Sequence, residues 1–234
     1  MEREPNRLGK VLREFEQLNR SMIDKRSSKS AAKTRSSTRK TSRSEFRALP
    51  NGMEHAEWSK VPRRLNETLT NAFKGEQFPI FIHGTPGNGK SCAMACVYQR
   101  WSKPIARWYR LEQFVRDIQA ARHQGHVEMP VVLETGERAT IKRSERKLWQ
   151  FVEDPQQLWC FDDFGTRDVT ASAFDIVFEL IDRRGRRPMI VTSNLSLDDI
   201  AELYDARIAD RLGAGTVIEC TGRSRRKGTR NKVN

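Results

Sequence analysis

The eight residues GTPGNGKS, from Gly84 to Ser91, set glycine at the first position and glycine, lysine and serine at the last three, with a further glycine at 87. That is the pattern G-x-x-x-x-G-K-S, and its chemistry is the capture of a phosphate chain. Glycine accepts positive φ and lets successive N–H groups close around phosphate oxygens, while a helix that follows offers the same anion the positive end of its dipole. Lys90 is then expected to reach the β- and γ-phosphates of a nucleotide, and the Ser91 hydroxyl to ligate Mg²⁺. Gly84, Thr85, Pro86, Gly87, Asn88, Gly89, Lys90, Ser91 and Cys92 make up the expected nucleotide-binding stretch. Four fixed positions in the right context outweigh the alternative of a glycine-rich turn that happens to end in Lys-Ser.

Three further constellations follow along the chain. In LWCFDDFG, Asp162 and Asp163 close an apolar run, where parallel sheets put their ligands. Asp162 is expected to hold Mg²⁺ and Asp163 to orient or deprotonate an attacking water. In IVTSN, Asn194 ends another apolar run, and if that strand lies beside the one feeding the glycine loop, its amide points toward the γ-phosphate. Ser196 with Asp199 has capping-box spacing, which leaves Asn194 free for that task. In DARIADRLGAG, Arg207 and Arg211 stand at i and i+4, a spacing that makes either a salt-bridged surface or an anion clamp.

Positioning these groups takes a sheet. Strand-length apolar runs occur as FPIFI from Phe78, IARWY from Ile105, LWCFD from Leu158, PMIVTS from Pro188 and TVIEC from Thr216, alternating with helical patterns. That alternation predicts an α/β fold, with a parallel five-stranded sheet covered by helices. SCAMACVYQRW reads as the helix after the glycine loop, TASAFDIVFELIDRRG as one with Ala173, Phe174, Val177, Leu180 and Ile181 on its inner face, and HAEWSKVPRRLNETLTNAF as a lead-in helix. VVLETGERATIK, from Val131, resembles an inserted hairpin.

The charge is concentrated at the ends. Of a formal net charge of +13, residues 1–50 carry 14 Lys and Arg against 6 acids, and residues 222–234 carry 6 against none, which leaves the 51–221 body slightly acidic. Such arms suit nucleic-acid backbones, whose counterions they release. Leu8, Val11, Leu12, Phe15, Leu18 and Met22 form an apolar stripe, so residues 1–24 are expected to be an amphipathic helix that docks on a partner. Residues 25–44 hold eight basic residues and no acid, and 25–47 are expected to be a disordered linker. The compact domain is placed at 48–221 and a basic tail at 222–234. No apolar run reaches the ~20 residues of a membrane span, so no membrane partner is expected and the location is taken as cytoplasmic. The four cysteines show no zinc spacing and read as buried free thiols.

GTPGNGKS, LWCFDDFGT, IVTSNLSLDDIAEL and ARIADRL, in that order, resemble the AAA+ ATPases of the DnaC/IstB group, over roughly residues 75 to 225. The resemblance implies a P-loop NTPase of three α/β/α layers, without a C-terminal helical lid, that binds ATP between neighbouring subunits of an oligomer or filament. It implies catalytic roles for Asp162, Asp163 and Asn194, an arginine finger at Arg211 and a nucleotide-sensing arginine at Arg223. Asn88 stands where the group usually has Thr or Val. A single-stranded DNA contact is expected from some of Arg107, Arg110, Arg116 and Arg122, which are interleaved with Trp108, Tyr109 and Phe114, although Trp108 and Phe114 themselves read as core residues. Among function classes, an ATP-dependent loader of a replicative helicase comes first. An IstB-like ATPase that hands target DNA to a transposase is the alternative. A small-molecule kinase would need an acceptor pocket and a lid, and gains nothing from basic arms.

Overall fold

The computed structural model describes residues 49–101, 105–132, 138–165, 170–221 and 224. The expected N-terminal helix, the linker, Arg223 and nearly all of the C-terminal tail lie outside the described residues. All five apolar runs are strands of one parallel sheet, in the order β2-β5-β6-β1-β7: β1 (Ile80–Gly84), β2 (Ala106–Arg110), β5 (Leu158–Phe164), β6 (Met189–Ser193) and β7 (Thr216–Cys220). The inserted β3 (Val127–Val132) and β4 (Arg138–Arg143) pair antiparallel as the expected hairpin, which starts four residues before the sequence suggested.

Strand alternation divides the core into two layers. Ile80, Ile82, Leu158, Cys160, Ile190 and Ile218 face α1 (Arg63–Lys74) and α2 (Lys90–Arg100). Phe81, Trp159, Phe161, Met189 and Val191 face α3 (Leu111–Gln124), α4 (Glu145–Glu153), α5 (Ala171–Arg184), α6 (Leu197–Leu203) and α7 (Ala206–Gly213). The fold is thus the three-layer α/β/α arrangement of P-loop proteins.

Several local details depart from the sequence reading. The lead-in is split: Trp58–Lys60 form one 3-10 turn and α1 begins only after Pro62, because proline lacks the N–H an uninterrupted helix would need there. On α5 the buried face is Ile176, Val177, Leu180, Ile181 and Arg184, so Ala173 and Phe174 are left at its margin. Arg184 is fully buried, and its guanidinium donates to the carbonyls of Val152, Asp154, Gln157 and Pro188. It thereby ties the ends of α4 and α5 to the starts of β5 and β6. Burial lowers this guanidinium to about 9. Four carbonyl dipoles stand in for the water it loses.

Candidate functional site

The phosphate loop leaves β1 at its C-terminal end and enters α2 directly. Gly84 has φ +132, and a Cβ there would lie 2.2 Å from the Cys220 carbonyl oxygen of β7, so the close strand approach itself requires glycine. Gly89, with φ +90, is the N-cap of α2. Asn88 is buried; its Nδ2 donates to Thr85 Oγ1 at 2.6 Å and to the Cys220 carbonyl at 2.9 Å. Those bonds give a physical reason for an amide at this position: it pins the loop to the end of β7. The backbone N–H groups of Gly87, Asn88, Gly89 and Ser91 donate to no acceptor among the described residues. A row of open amides at a helix N-terminus is what a phosphate chain fits.

Two side chains of the loop reach neighbouring strands. Lys90, only 7% exposed, donates from Nζ to the Gly84 carbonyl (2.7 Å), the Thr85 carbonyl (2.9 Å) and Asn194 Oδ1 (3.0 Å). β6 does lie beside β1, the condition for Asn194 to face the loop. Ser196 and Asp199 form the capping box that leaves Asn194 to this contact. Ser91 Oγ donates to Asp162 Oδ1 at 2.7 Å, so α2 and the end of β5 meet through one hydroxyl and one carboxylate. Both are hard oxygen donors, and the pair fits Mg²⁺ bound partly through water. Burial raises the Asp162 carboxyl above its usual range, against the hydrogen bonds from Thr192 and Ser91. A divalent cation would offset that cost of burying charge.

Asp163 sits at a break in the β5 ladder. The β5–β6 register shifts between Phe161 and Phe164, and Asp163 has φ +56, a left-handed conformation unusual for a residue with a side chain. Such strain costs about 1–3 kcal/mol and collects at functional sites. Here it sets two adjacent carboxylates side by side at the strand end, Asp162 buried and Asp163 half-exposed.

Thr192, which the sequence reading passed over as one of the apolar run, completes the arrangement. It is buried on β6, its hydroxyl donates to Asp162 Oδ1, and it accepts the Asp163 N–H at 3.4 Å. Its position two residues before Asn194 was the available signal. Thr192→Val keeps the shape and removes the hydroxyl. ATP turnover is expected to fall at least about tenfold, with a stability loss of about 1.5–3 kcal/mol from the lost hydrogen bond to a carboxylate that still accepts from Ser91. Nucleotide affinity should change far less, and Thr192→Ser should restore the rate. Equal losses in turnover and affinity, or no rescue by serine, would count against a positioning role.

The remaining expected site residues fall elsewhere. Cys92 packs beside the lead-in turn, and a hydrogen bond with Cys96 lowers its thiol below the usual range, while the Cys96 thiol is raised. All four cysteines are free. Arg211 on α7 pairs with Asp182 of α5 at 2.7 Å, and both Arg207 and Arg211 lie over the Phe178 ring, at 4.8 and 4.9 Å. Within one chain this is the salt-bridged surface of the two arrangements the spacing allowed. Of the expected DNA contacts, Arg122 is held by Glu145 and Glu179, and Arg116 by Gln113 and Glu112. Arg110 is exposed, and Arg107 is half-buried with Nε on Gln157 Oε1 at 2.7 Å. The aromatic residues among them are not free stacking surfaces: Phe114 is buried, Tyr109 stacks on Trp159, and Trp108 packs edge-on against Tyr98.

Comparison with known proteins agrees with this fold. The structure is similar to DnaI, with a TM-score of 0.52 and 18% identity over 76% of this chain and 94% of that one. It is similar to the DnaC helicase loader, with a TM-score of 0.52 and 14% identity over 74% of this chain and all of that one. It is also similar to AMPPCP-bound DnaA from Aquifex aeolicus, with a TM-score of 0.54 and 15% identity over 72% of this chain; the match spans about half, 49%, of the DnaA chain. At such identities the likeness speaks for the fold. No curated protein sequence matches. No helix among the described residues is long and apolar enough to cross a membrane. A family model described as IstB-like ATP binding protein matches residues 9–233, nearly the full sequence. With a phosphate loop seated between Asn194 and the Asp162 carboxylate in an α/β/α sandwich, the chain belongs to the IstB-like ATP-binding family, ATPases of the AAA+ fold.

Proposed function

We propose that this chain is an ATP-driven loader that places a replicative helicase on single-stranded DNA, working as an oligomer whose ATP sites lie between subunits. The observation that carries the nucleotide switch is the junction at the C-terminal ends of the central strands, where Lys90 meets Asn194 and Ser91 meets Asp162. Bound Mg²⁺-ATP supplies the γ-phosphoryl group whose transfer to water drives the switch. Lys90 exchanges its carbonyl and amide partners for phosphate oxygens, and the loop amides hold the rest of the chain of phosphates. Ser91 and Asp162 hold the metal, Thr192 fixes the Asp162 carboxylate, Asp163 takes the proton of the attacking water, and Asn194 orients that water. Arg211 completes the site of the neighbouring subunit, and Arg223 senses the nucleotide.

The loader reading draws support from the likeness to the DnaC helicase loader over that protein's whole length, and from the two basic arms. The family model favours a second reading, an ATPase that regulates the delivery of target DNA to a transposase. The stripe of Leu8, Val11, Leu12, Phe15, Leu18 and Met22 separates them, because a docking helix needs a definite apolar receptor. Replacing Leu12 and Phe15 by Asp is expected to abolish co-purification with the replicative helicase and to spare ATP binding. Retained capture would refute the docking role. Capture of a transposase, with none of the helicase, would select the second reading.

A further inference from the structure

Three cations converge on one aromatic ring at the pole of the sheet opposite the phosphate loop. The Arg107 guanidinium lies 4.2 Å from the centroid of Phe151, the Arg143 guanidinium 5.4 Å and the Lys147 ammonium 5.2 Å. They come from three elements: the second residue of edge strand β2, the last residue of β4 and the first turn of α4. Arg107 stands in register with Trp159 near the N-terminal ends of β2 and β5, whereas the phosphate loop follows the C-terminal end of β1. This cluster is therefore no part of the ATP site.

Two of the carboxylates nearby are engaged elsewhere, and the third, Asp154, reaches Arg107 only through Gln157. Glu145 pairs with Arg122 and accepts from Trp149, Glu153 pairs with Arg183, and Asp154 accepts from the Gln156 N–H and Gln157 Nε2. None of the three cations forms an ion pair among the described residues. Arg107 spends only Nε, on Gln157, and Lys147 donates to Gln150 at 3.3 Å. The Phe151 ring quadrupole offsets part of the repulsion between like charges gathered around it. Burial lowers the Arg107 guanidinium and the nearby Arg143 lowers it further, so both would be relieved by an anion. A merely solvated basic face would spread these charges out.

We propose that Arg107, Arg143 and Lys147 form a cradle over Phe151 that grips the phosphodiester backbone of single-stranded nucleic acid, and that the β3–β4 insertion serves to bring Arg143 to it. The inference rests on the reading of the chain as a DNA-handling protein and relocates its contact: Arg107 stays, while Arg143 and Lys147 replace Arg110, Arg116 and Arg122. A phosphate suits the site because a guanidinium can take two of its oxygens at once and an ammonium a third. The ring is flanked by cations and so is a support for them more than a platform for a base. Recognition is accordingly independent of sequence.

The test is the salt dependence of binding of a labelled oligothymidylate to the full chain, read by fluorescence anisotropy. For single strands, log affinity falls against log salt with a slope of about 0.7 per phosphate contact, so Arg143→Ala with Lys147→Ala is expected to flatten the slope by roughly 1.4. Arg63→Ala, which removes an exposed cation on α1, should leave it unchanged. Both substitutions in the cradle are at the surface, and unaltered ATP binding by the double variant confirms its fold. A wild-type slope in the double variant, with the wild-type chain binding normally, overturns the cradle and leaves the DNA-handling reading intact. Failure of the wild-type chain to bind the oligonucleotide at low salt overturns both. Loss of binding to phosphatidylserine vesicles with oligonucleotide binding unchanged overturns the cradle in favour of a lipid surface.

Discussion

Lys90→Ala is expected to abolish ATP binding and, with it, every ATP-dependent property of the protein. Nζ is the only side-chain cation hydrogen-bonded to both the loop carbonyls and the β6 tip among the described residues. Hydrogen bonds to charged groups are worth about 1.5–3 kcal/mol each, so losing contacts to two phosphates should weaken affinity by roughly two orders of magnitude or more. Thermal unfolding reads this without any catalytic assay. Ligand at a hundred times its Kd stabilises the wild-type fold by about 2.7 kcal/mol, and the variant should show no such shift at the same concentration. Because Lys90 also links β1 to β6, a lower melting temperature of the variant without ATP is expected as well. A wild-type shift with ATP in Lys90→Ala would remove the basis for the site described above.

Much of this site was legible in the sequence because its geometry is local. G-x-x-x-x-G-K-S fixes glycines, lysine and serine within one turn of chain, and the apolar run before it and the helical pattern after it are local too. Each of the five strands was visible as an apolar run: the central β1, β5 and β6 are buried on both faces and carry few polar residues, while the edge strands β2 and β7 keep apolar residues at alternate or adjacent positions. Asp162 and Asn194 were readable at the ends of such runs, because ligands gather at the C-terminal ends of parallel strands.

What the sequence left hidden depends on strand order and on contacts between distant segments. Thr192 reads as an ordinary strand residue until β6 is laid beside β5, and only then does its hydroxyl meet Asp162. Arg184 looks like one of several basic residues ending a helix, yet it is the buried knot of four carbonyls. The arginines from 107 to 122 looked alike in sequence. Packing divides them, since Arg122 faces two glutamates across α4 and α5 whereas Arg107 meets two other cations over Phe151. Of the aromatic residues among them, Phe114 went to the core and Tyr109 and Trp108 are partly buried against other rings, because burying an aromatic side chain gains more than leaving it for a ligand.

Arg211→Ala is expected to keep nucleotide affinity near normal and to lose the hydrolysis that depends on assembly. In the single chain the Arg211 guanidinium is parked on the outer face of α5, against Asp182 and over Phe178, with side-chain exposures of 37% for the arginine and 54% for the aspartate. An ion pair that exposed contributes only about 0–1 kcal/mol, so a neighbouring subunit that offers a phosphate can draw the arginine away at small cost. Arginine fingers accelerate NTP hydrolysis by about 10³ to 10⁵ where their effect is large, and loss on that scale would dominate any stability change from Arg211→Ala. Mixing variants makes the test specific. Arg211→Ala contributes an intact phosphate loop and Lys90→Ala an intact arginine, so a mixed assembly contains interfaces at which both halves are whole. Hydrolysis should reappear on mixing although neither variant shows it alone, and it should rise with protein concentration as interfaces form. Recovery would mean that Arg211 acts across a subunit boundary and that its pairing with Asp182 is the resting position. A mixture that stays inactive although mixed oligomers are demonstrated, or wild-type turnover by Arg211→Ala alone, would return Arg211 to the role its intrachain contacts display, a surface ion pair that steadies α7 against α5.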